Sequence, residues 1–172
     1  RNQLVAKFMA CPDYTHLMFI DVDLSFMPDD ILKMLWHDKE VITGAYPIKT
    51  IDWNKVSQGV HKGIEPSNLL GNSVRFVVNP VRTVDSKIKV ENGAISVYDA
   101  GTGFMMIKRS VFEKLFAAHP ELKYVDDTGL LNEEERKYSY ALFNSYVDKD
   151  GRFLSEDYGF CRYWQNNGGD IW

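Results

Sequence analysis

The chain has 172 residues, 45% hydrophobic and 26% charged, with a net charge of −4. This excludes a disordered chain and supports one substantial core, read as a single domain over residues 1–172. No basic tract stands out, no apolar run is long enough for a transmembrane segment and no signal peptide pattern is present, so neither a nucleic-acid partner nor a membrane span is expected.

Residues 2–10 place Leu4, Val5, Phe8 and Met9 on one face of a helix that Pro12 ends. HLMFIDVD, 16–23, reads as a buried strand. PDDILKMLWH follows as a helix, with Pro28 opening it, Asp29 and Asp30 in its first turn, and Trp36 assigned to the core. EVITGAYPI holds the next strand, ended by Gly44 and Pro47, so strand, helix and strand form a βαβ unit that predicts a parallel sheet. Residues 49–72 look polar and irregular, and SVRFVVNP reads as a strand beyond them. KIKV and AISVY around Glu91-Asn92-Gly93 predict a hairpin. A short strand at 103–107 precedes a helix starting near Ser110. Residues 119–136 read as a polar loop, a candidate for mobility, and Asp148–Gly151 as a turn. A final helix is capped by Ser155 and stopped by Gly168. Both ends look cut: RNQLVAKFMA opens directly as helix and GGDIW closes as a starting strand. Cys11 and Cys161 read as free thiols of a reducing, cytoplasmic compartment.

The chemistry lies in FIDVDLSF, 19–26, where two aspartates stand inside an apolar run. A buried aspartate is costly without a partner. On a strand, Asp21 and Asp23 would share a face, and at its opening end they could converge on one hard divalent cation. Such an ion, Mn²⁺ or Mg²⁺, can hold phosphate oxygens and stabilise a leaving phosphate. A calcium loop is excluded, because Phe26 stands at the position of the turn glycine and Leu32 at that of the bidentate glutamate. An aspartyl-phosphate-type phosphatase, with Asp21 as nucleophile and Asp126 and Asp127 as the later acidic pair, stays open.

In order and spacing, several stretches resemble GT-A fold glycosyltransferases, chlorella virus glycosyltransferase domains in particular. They are RNQLV, FIDVDLSF, EVITGAYPIK, DAGTGFMMIKRSVFEKL and LSEDYGFCRYWQNNGGDIW. The resemblance implies an α/β fold with a mixed, mainly parallel sheet flanked by helices, lacking its first strand in this chain. It implies a metal-dependent transfer of a sugar from a nucleotide sugar, of the UDP-linked class, to an oligosaccharide or glycoprotein glycan. For a viral protein the setting would be the host cytoplasm. Asp21 and Asp23 match the metal-binding D-x-D, with Asp23 as the direct ligand. Arg1 and Asn2 match a segment facing the nucleotide. Gly101, Thr102 and Gly103 match the turn beneath the donor sugar and acceptor. Glu156 and Asp157 match the acidic pair, with Asp157 as the base of inverting members. Asp157 stands in the first turn of a helix, where the dipole is expected to hold its basicity down. A histidine ligand expected downstream would fall beyond Trp172. Lys108 and Arg109 are candidate phosphate groups whose commoner role is solvation or pairing. Trp53, Tyr46 and Lys49 could line a sugar site. Retaining transfer and a non-catalytic nucleotide- or sugar-binding module remain as alternatives.

Overall fold

The computed structural model describes residues 1–76, 78–82 and 85–172, without the side chain of Lys49. The Lys49 side chain, a candidate for a sugar site, and Val77, within the expected SVRFVVNP strand, therefore lie outside what is described. In chain order the elements are α1 (Asn2–Met9), β1 (His16–Ile20), α2 (Pro28–His37), β2 (Val41–Thr43), β3 (Pro47–Ile51), α3 (Trp53–His61), α4 (Pro66–Ser73) and β4 (Val74–Phe76). They continue with β5 (Val90–Glu91), β6 (Ala94–Ile95), β7 (Phe104–Lys108), α5 (Arg109–Ala118), a 3-10 turn (Pro120–Leu122), α6 (Glu133–Arg136), β8 (Tyr146–Val147), β9 (Phe153–Leu154) and α7 (Glu156–Asn166). The chain divides into two compact units, one of residues 1–44 with 79–172 and the other of residues 45–78.

The larger unit is built on a three-stranded sheet in the order β1-β7-β2. Both outer strands are antiparallel to β7, with Ile20 opposite Phe104, His16 opposite Lys108 and Val41 opposite Ile107. This overturns the expected α/β fold with a mainly parallel GT-A sheet. β1 and β2 run the same way, as a βαβ unit requires, yet β7 pairs with each of them in the opposite sense. The described strands form one three-stranded and several two-stranded antiparallel sheets, with no large parallel sheet among them. The physical reason is that β7, more than sixty positions downstream, is a five-residue strand with four consecutive apolar residues that all become buried, whereas β1 is only partly covered. Phe104, Met105, Met106 and Ile107 are all buried, so β7 takes the central position, where both faces are covered.

Helices α1, α5 and α7 contribute Val5, Phe8, Phe112, Leu115, Phe160 and Trp164 to the same core. Phe143 stacks on Phe160 with ring centroids 4.6 Å apart. Arg109 closes the end of α1: Nη2 donates to Phe8 O at 2.9 Å, Nη1 to Met9 O at 3.1 Å and Nε to Tyr14 O at 2.7 Å. The bonds to Phe8 O and Met9 O serve carbonyls of the last helical turn, and the bond to Tyr14 O ties the turn that follows to them. Arg109 is thus a structural cap, and Lys108 pairs with Asp38. Asn92 (φ 50°) and Gly93 (φ 89°) make the two-residue turn between β5 and β6, the left-handed pair a tight hairpin needs.

Other expectations change. Trp36 is 71% exposed on α2, not core. The strand expected in EVITGAYPI stops at Thr43, just before Gly44, as β2, and Pro47 opens a separate strand, β3, in a different sheet. Residues 49–72 contain two helices, α3 and α4. Asp52 caps α3 through Lys55 N and pairs with Arg75 at 2.8 Å. The 119–136 stretch is pinned as well. Tyr124 N–H donates to Ser139 O, Asn132 caps α6, and the buried Asp126 accepts from Gln3 Nε2 at 3.2 Å and Thr128 Oγ1 at 2.8 Å. Among the described residues, no helix is long and apolar enough to cross a membrane.

Candidate active site

The site forms at one end of the three-stranded sheet. β1 ends at Ile20, and the chain then turns over Asp21–Leu24, with Leu24 N–H donating to Asp21 O at 3.1 Å. Asp21 and Asp23 therefore stand in a turn, not on a strand face. Because β7 runs antiparallel, its start lies beside the end of β1. Asp21 N–H donates to Gly103 O at 2.8 Å, so the turn of the aspartates is bonded directly to Gly101-Thr102-Gly103. Thr43, at the end of β2, places its hydroxyl 3.3 Å from Gly101 O and 3.1 Å from Phe104 O.

The N-terminus of α7 reaches the same turn. Ser155 caps the helix through Tyr158 N, and Glu156 and Asp157 occupy its first turn. Thr102 Oγ1 donates to Asp157 Oδ1 at 2.9 Å, and Thr102 N–H donates to Oδ2 at 3.3 Å. Arg1, at the head of α1, places Nη1 2.5 Å from Glu156 Oε1 and 3.5 Å from Asp157 Oδ1. Asp157 is half-buried. Burial raises its carboxyl above the ordinary carboxylate range, against the lowering influence of the Thr102 bonds and Arg1. The net shift is upward, opposite to the lowering expected from the helix position alone, and desolvation is its largest cause.

A second set of contacts fastens α7 to residues 97–102. The carboxylate of Asp99, 5% exposed, takes Arg162 Nη2 at 3.2 Å and Arg152 Nη2 at 3.3 Å. Cys161 Sγ lies 3.5 Å from Ala100 O, and Gln165 Nε2 donates to Tyr98 O at 2.9 Å. Positions 157, 161, 162 and 165 of one helix thereby grip consecutive parts of the turn that carries Thr102.

Most of the residues picked from sequence are brought together. Arg1, Glu156, Asp157, Thr102, Gly101, Gly103 and Asp21 form one chain of contacts, and Asp23 lies two residues beyond Asp21 in its turn. Asn2 does something else. Its amide donates to Phe143 O at 3.2 Å and accepts from Phe143 N at 2.8 Å, so it anchors the backbone of residue 143. Trp53 lies exposed at the start of α3, in the smaller unit. Among the described residues, no group of three or more His, Cys, Asp or Glu side chains could hold a metal ion. Carboxylate oxygens are the ligand type that Mg²⁺ and Mn²⁺ take, usually one or two of them with phosphate oxygens and water in the remaining positions. The sequence reading missed Asp99, Arg152 and Arg162. The signal was weak: a single aspartate before a glycine turn, and arginines at positions that read as surface.

No protein-family profile matches the chain, and no curated protein does. Among solved structures, the chain is similar to the crystal structure of A197 from STIV, with 16% sequence identity and a TM-score of 0.41. The match covers 99% of this chain and 60% of that one.

Proposed function

We propose that this chain is a metal-dependent glycosyltransferase that moves a sugar from a UDP-class nucleotide sugar to a glycan hydroxyl with inversion. One observation carries the proposal. The turn bearing Asp21 and Asp23 is hydrogen-bonded to the Gly101–Gly103 turn, which in turn holds the carboxylate of Asp157. Two acids suited to a cation and one suited to a proton thus meet at one sheet end, from segments more than 130 positions apart. The proposal rests on this site and not on the fold.

Asp21 and Asp23 would hold Mn²⁺ or Mg²⁺, which when bound stabilises charge on the leaving diphosphate. Asp157 accepts the proton of the acceptor hydroxyl as that oxygen attacks the anomeric carbon. Its raised proton affinity suits the role, because a base works best when its pKa is nearer the working pH. Arg1 balances the negative charge of Glu156 and Asp157 and keeps both in place. Two free thiols, Cys11 and Cys161, support a cytoplasmic setting, that of the host for a viral protein.

Calorimetry of UDP, with and without Mn²⁺, tests the reading on the parent chain and on Asp23→Ala. Affinity is expected to depend on metal and to fall at least about tenfold in the variant, about 1.4 kcal/mol. Equal UDP affinity in all four combinations would overturn the reading. A phosphoenzyme trapped on Asp21 would replace it with the phosphatase alternative. A screen of nucleotide sugars for donor hydrolysis then identifies the sugar.

A further inference from the structure

Resting on the reading above, we infer that Thr102 is the positioning residue of the base: its hydroxyl occupies Oδ1 of Asp157 and leaves Oδ2 as the atom that takes the acceptor's proton. The two oxygens are unequal in their surroundings. Oδ1 receives the Thr102 hydroxyl at 2.9 Å and has the Arg1 guanidinium 3.5 Å away. Oδ2 receives a long bond from the Thr102 amide, at 3.3 Å, and no ion pair among the described residues. A carboxylate oxygen accepts about two hydrogen bonds, so Oδ2 has room for one more donor. In the transfer step the acceptor O–H proton passes to Oδ2 and the acceptor oxygen bonds the anomeric carbon. The bond from that carbon to the phosphate oxygen breaks, and its electron pair leaves on the diphosphate.

Thr102 can hold this position because its own peptide is fixed on both sides. It is 1% exposed. The Thr43 hydroxyl lies between Gly101 O and Phe104 O, at 3.3 and 3.1 Å, and Gly103 O accepts the N–H of Asp21. A β-branched side chain is also stiff at χ1, which serine is not. Because the Gly103 carbonyl bonds the turn of Asp21 and Asp23, one short peptide sets both the base and the start of the cation turn. The charged groups facing Asp157 are Arg1 from the head of α1 and Glu156 from its own helix. Cys161, one turn along, is pushed by burial up to about 12 and stays a neutral thiol.

The test compares the full chain with Thr102→Val and Thr102→Ser. Carbon-detected NMR follows the Asp157 carboxyl through its titration in each, so this arm needs no substrate. The hydroxyl bond favours the charged carboxylate, so the midpoint is expected to rise in Thr102→Val and to return toward the parent in Thr102→Ser. If the valine chain does not fold, Thr102→Ala takes its place in the same titration. In transfer assays, Thr102→Val is expected to lower kcat by about tenfold or more, as loss of orientation does, and to move the acid limb of its pH profile upward. Thr102→Ser is expected to recover most of both. An unmoved midpoint in the valine chain, or a serine chain that behaves like it, would overturn the inference. If no nucleotide sugar is turned over by the parent, the transferase reading fails, while the titration still decides whether Thr102 governs the Asp157 carboxyl.

Discussion

Asp157 carries a conflict between stability and chemistry. Its carboxyl is drawn above the ordinary range mainly by burial, so the native chain holds that proton more tightly than the unfolded chain does. The stability this group contributes is therefore fully present below the unfolded value, about 3.9, and declines as pH rises through the native one. Asp157→Asn removes the half-buried charge and can still accept from Thr102. We expect it to melt at a higher temperature than the parent at pH 7, with the gap closing as the medium is acidified. The same variant is expected to lower kcat by about 100-fold, the scale of losing a positioned base. Thermal melts at several pH values, together with transfer rates, check both. A variant that melts lower than the parent at pH 7, or one that keeps full activity, contradicts the assignment. Glu156→Gln is expected to do less, because Glu156 meets Arg1 and not the Thr102 turn.

Helix α7 is the element on which the site depends. Its N-terminus presents the acids, and its next two turns hold the segment that presents Thr102. Asp99 is the center of that grip, a nearly buried carboxylate between Arg162, 27% exposed, and the more exposed Arg152. Removing Asp99 takes the charged acceptor from two arginines at once, and each such charge-assisted bond contributes about 1.5 kcal/mol. Asp99→Ala is therefore expected to lose about 3 kcal/mol in denaturant unfolding and to weaken transfer as well, although no substrate need touch residue 99. A loss within about 0.5 kcal/mol, the range of ordinary surface changes, would mean the pair contributes little. Gly169 shows how close the packing is at the other end of α7. A Cβ there would lie 2.0 Å from the Trp164 ring, so only glycine fits.

Taken as a whole, the molecule concentrates its core in one of its two units. Residues 1–44 and 79–172 contain the buried sheet and the aromatic cluster around Phe143 and Phe160. In residues 45–78, Gly59 and Ser73 are the buried residues among those described, and Trp53, Val60 and Leu70 are exposed. Few buried apolar contacts mean low local stability against opening. Hydrogen exchange is expected to proceed faster in α3 and α4 than in β7 and α5, and limited proteolysis to cut first within 45–78. Equal protection across both units in mild denaturant would contradict this.

Local elements were readable from sequence because their signals are local. The periodic apolar positions of α1, the proline and acids that open α2, the Asn92-Gly93 turn and the Ser155 cap all act within a few residues, and each stands where expected. The candidate acids were readable for the same reason, since carboxylates inside an apolar run are conspicuous wherever they fold. Strand order was not. β1, α2 and β2 carry the pattern of a parallel unit, and nothing near them announces that the later, more deeply buried β7 will pair with both in the opposite direction. The helices in 49–72 were missed because their glycines and polar faces gave no strong period, and Trp36 was misplaced because an apolar stripe on α2 does not reveal whether a neighbour covers it. Roles that depend on long-range contact were decided only by the tertiary structure. Asn2 anchors residue 143, Arg109 caps α1, and burial raises the Asp157 carboxyl. Residue type and local spacing determine which groups a chain can offer, whereas burial and partner choice depend on segments that meet only in the fold.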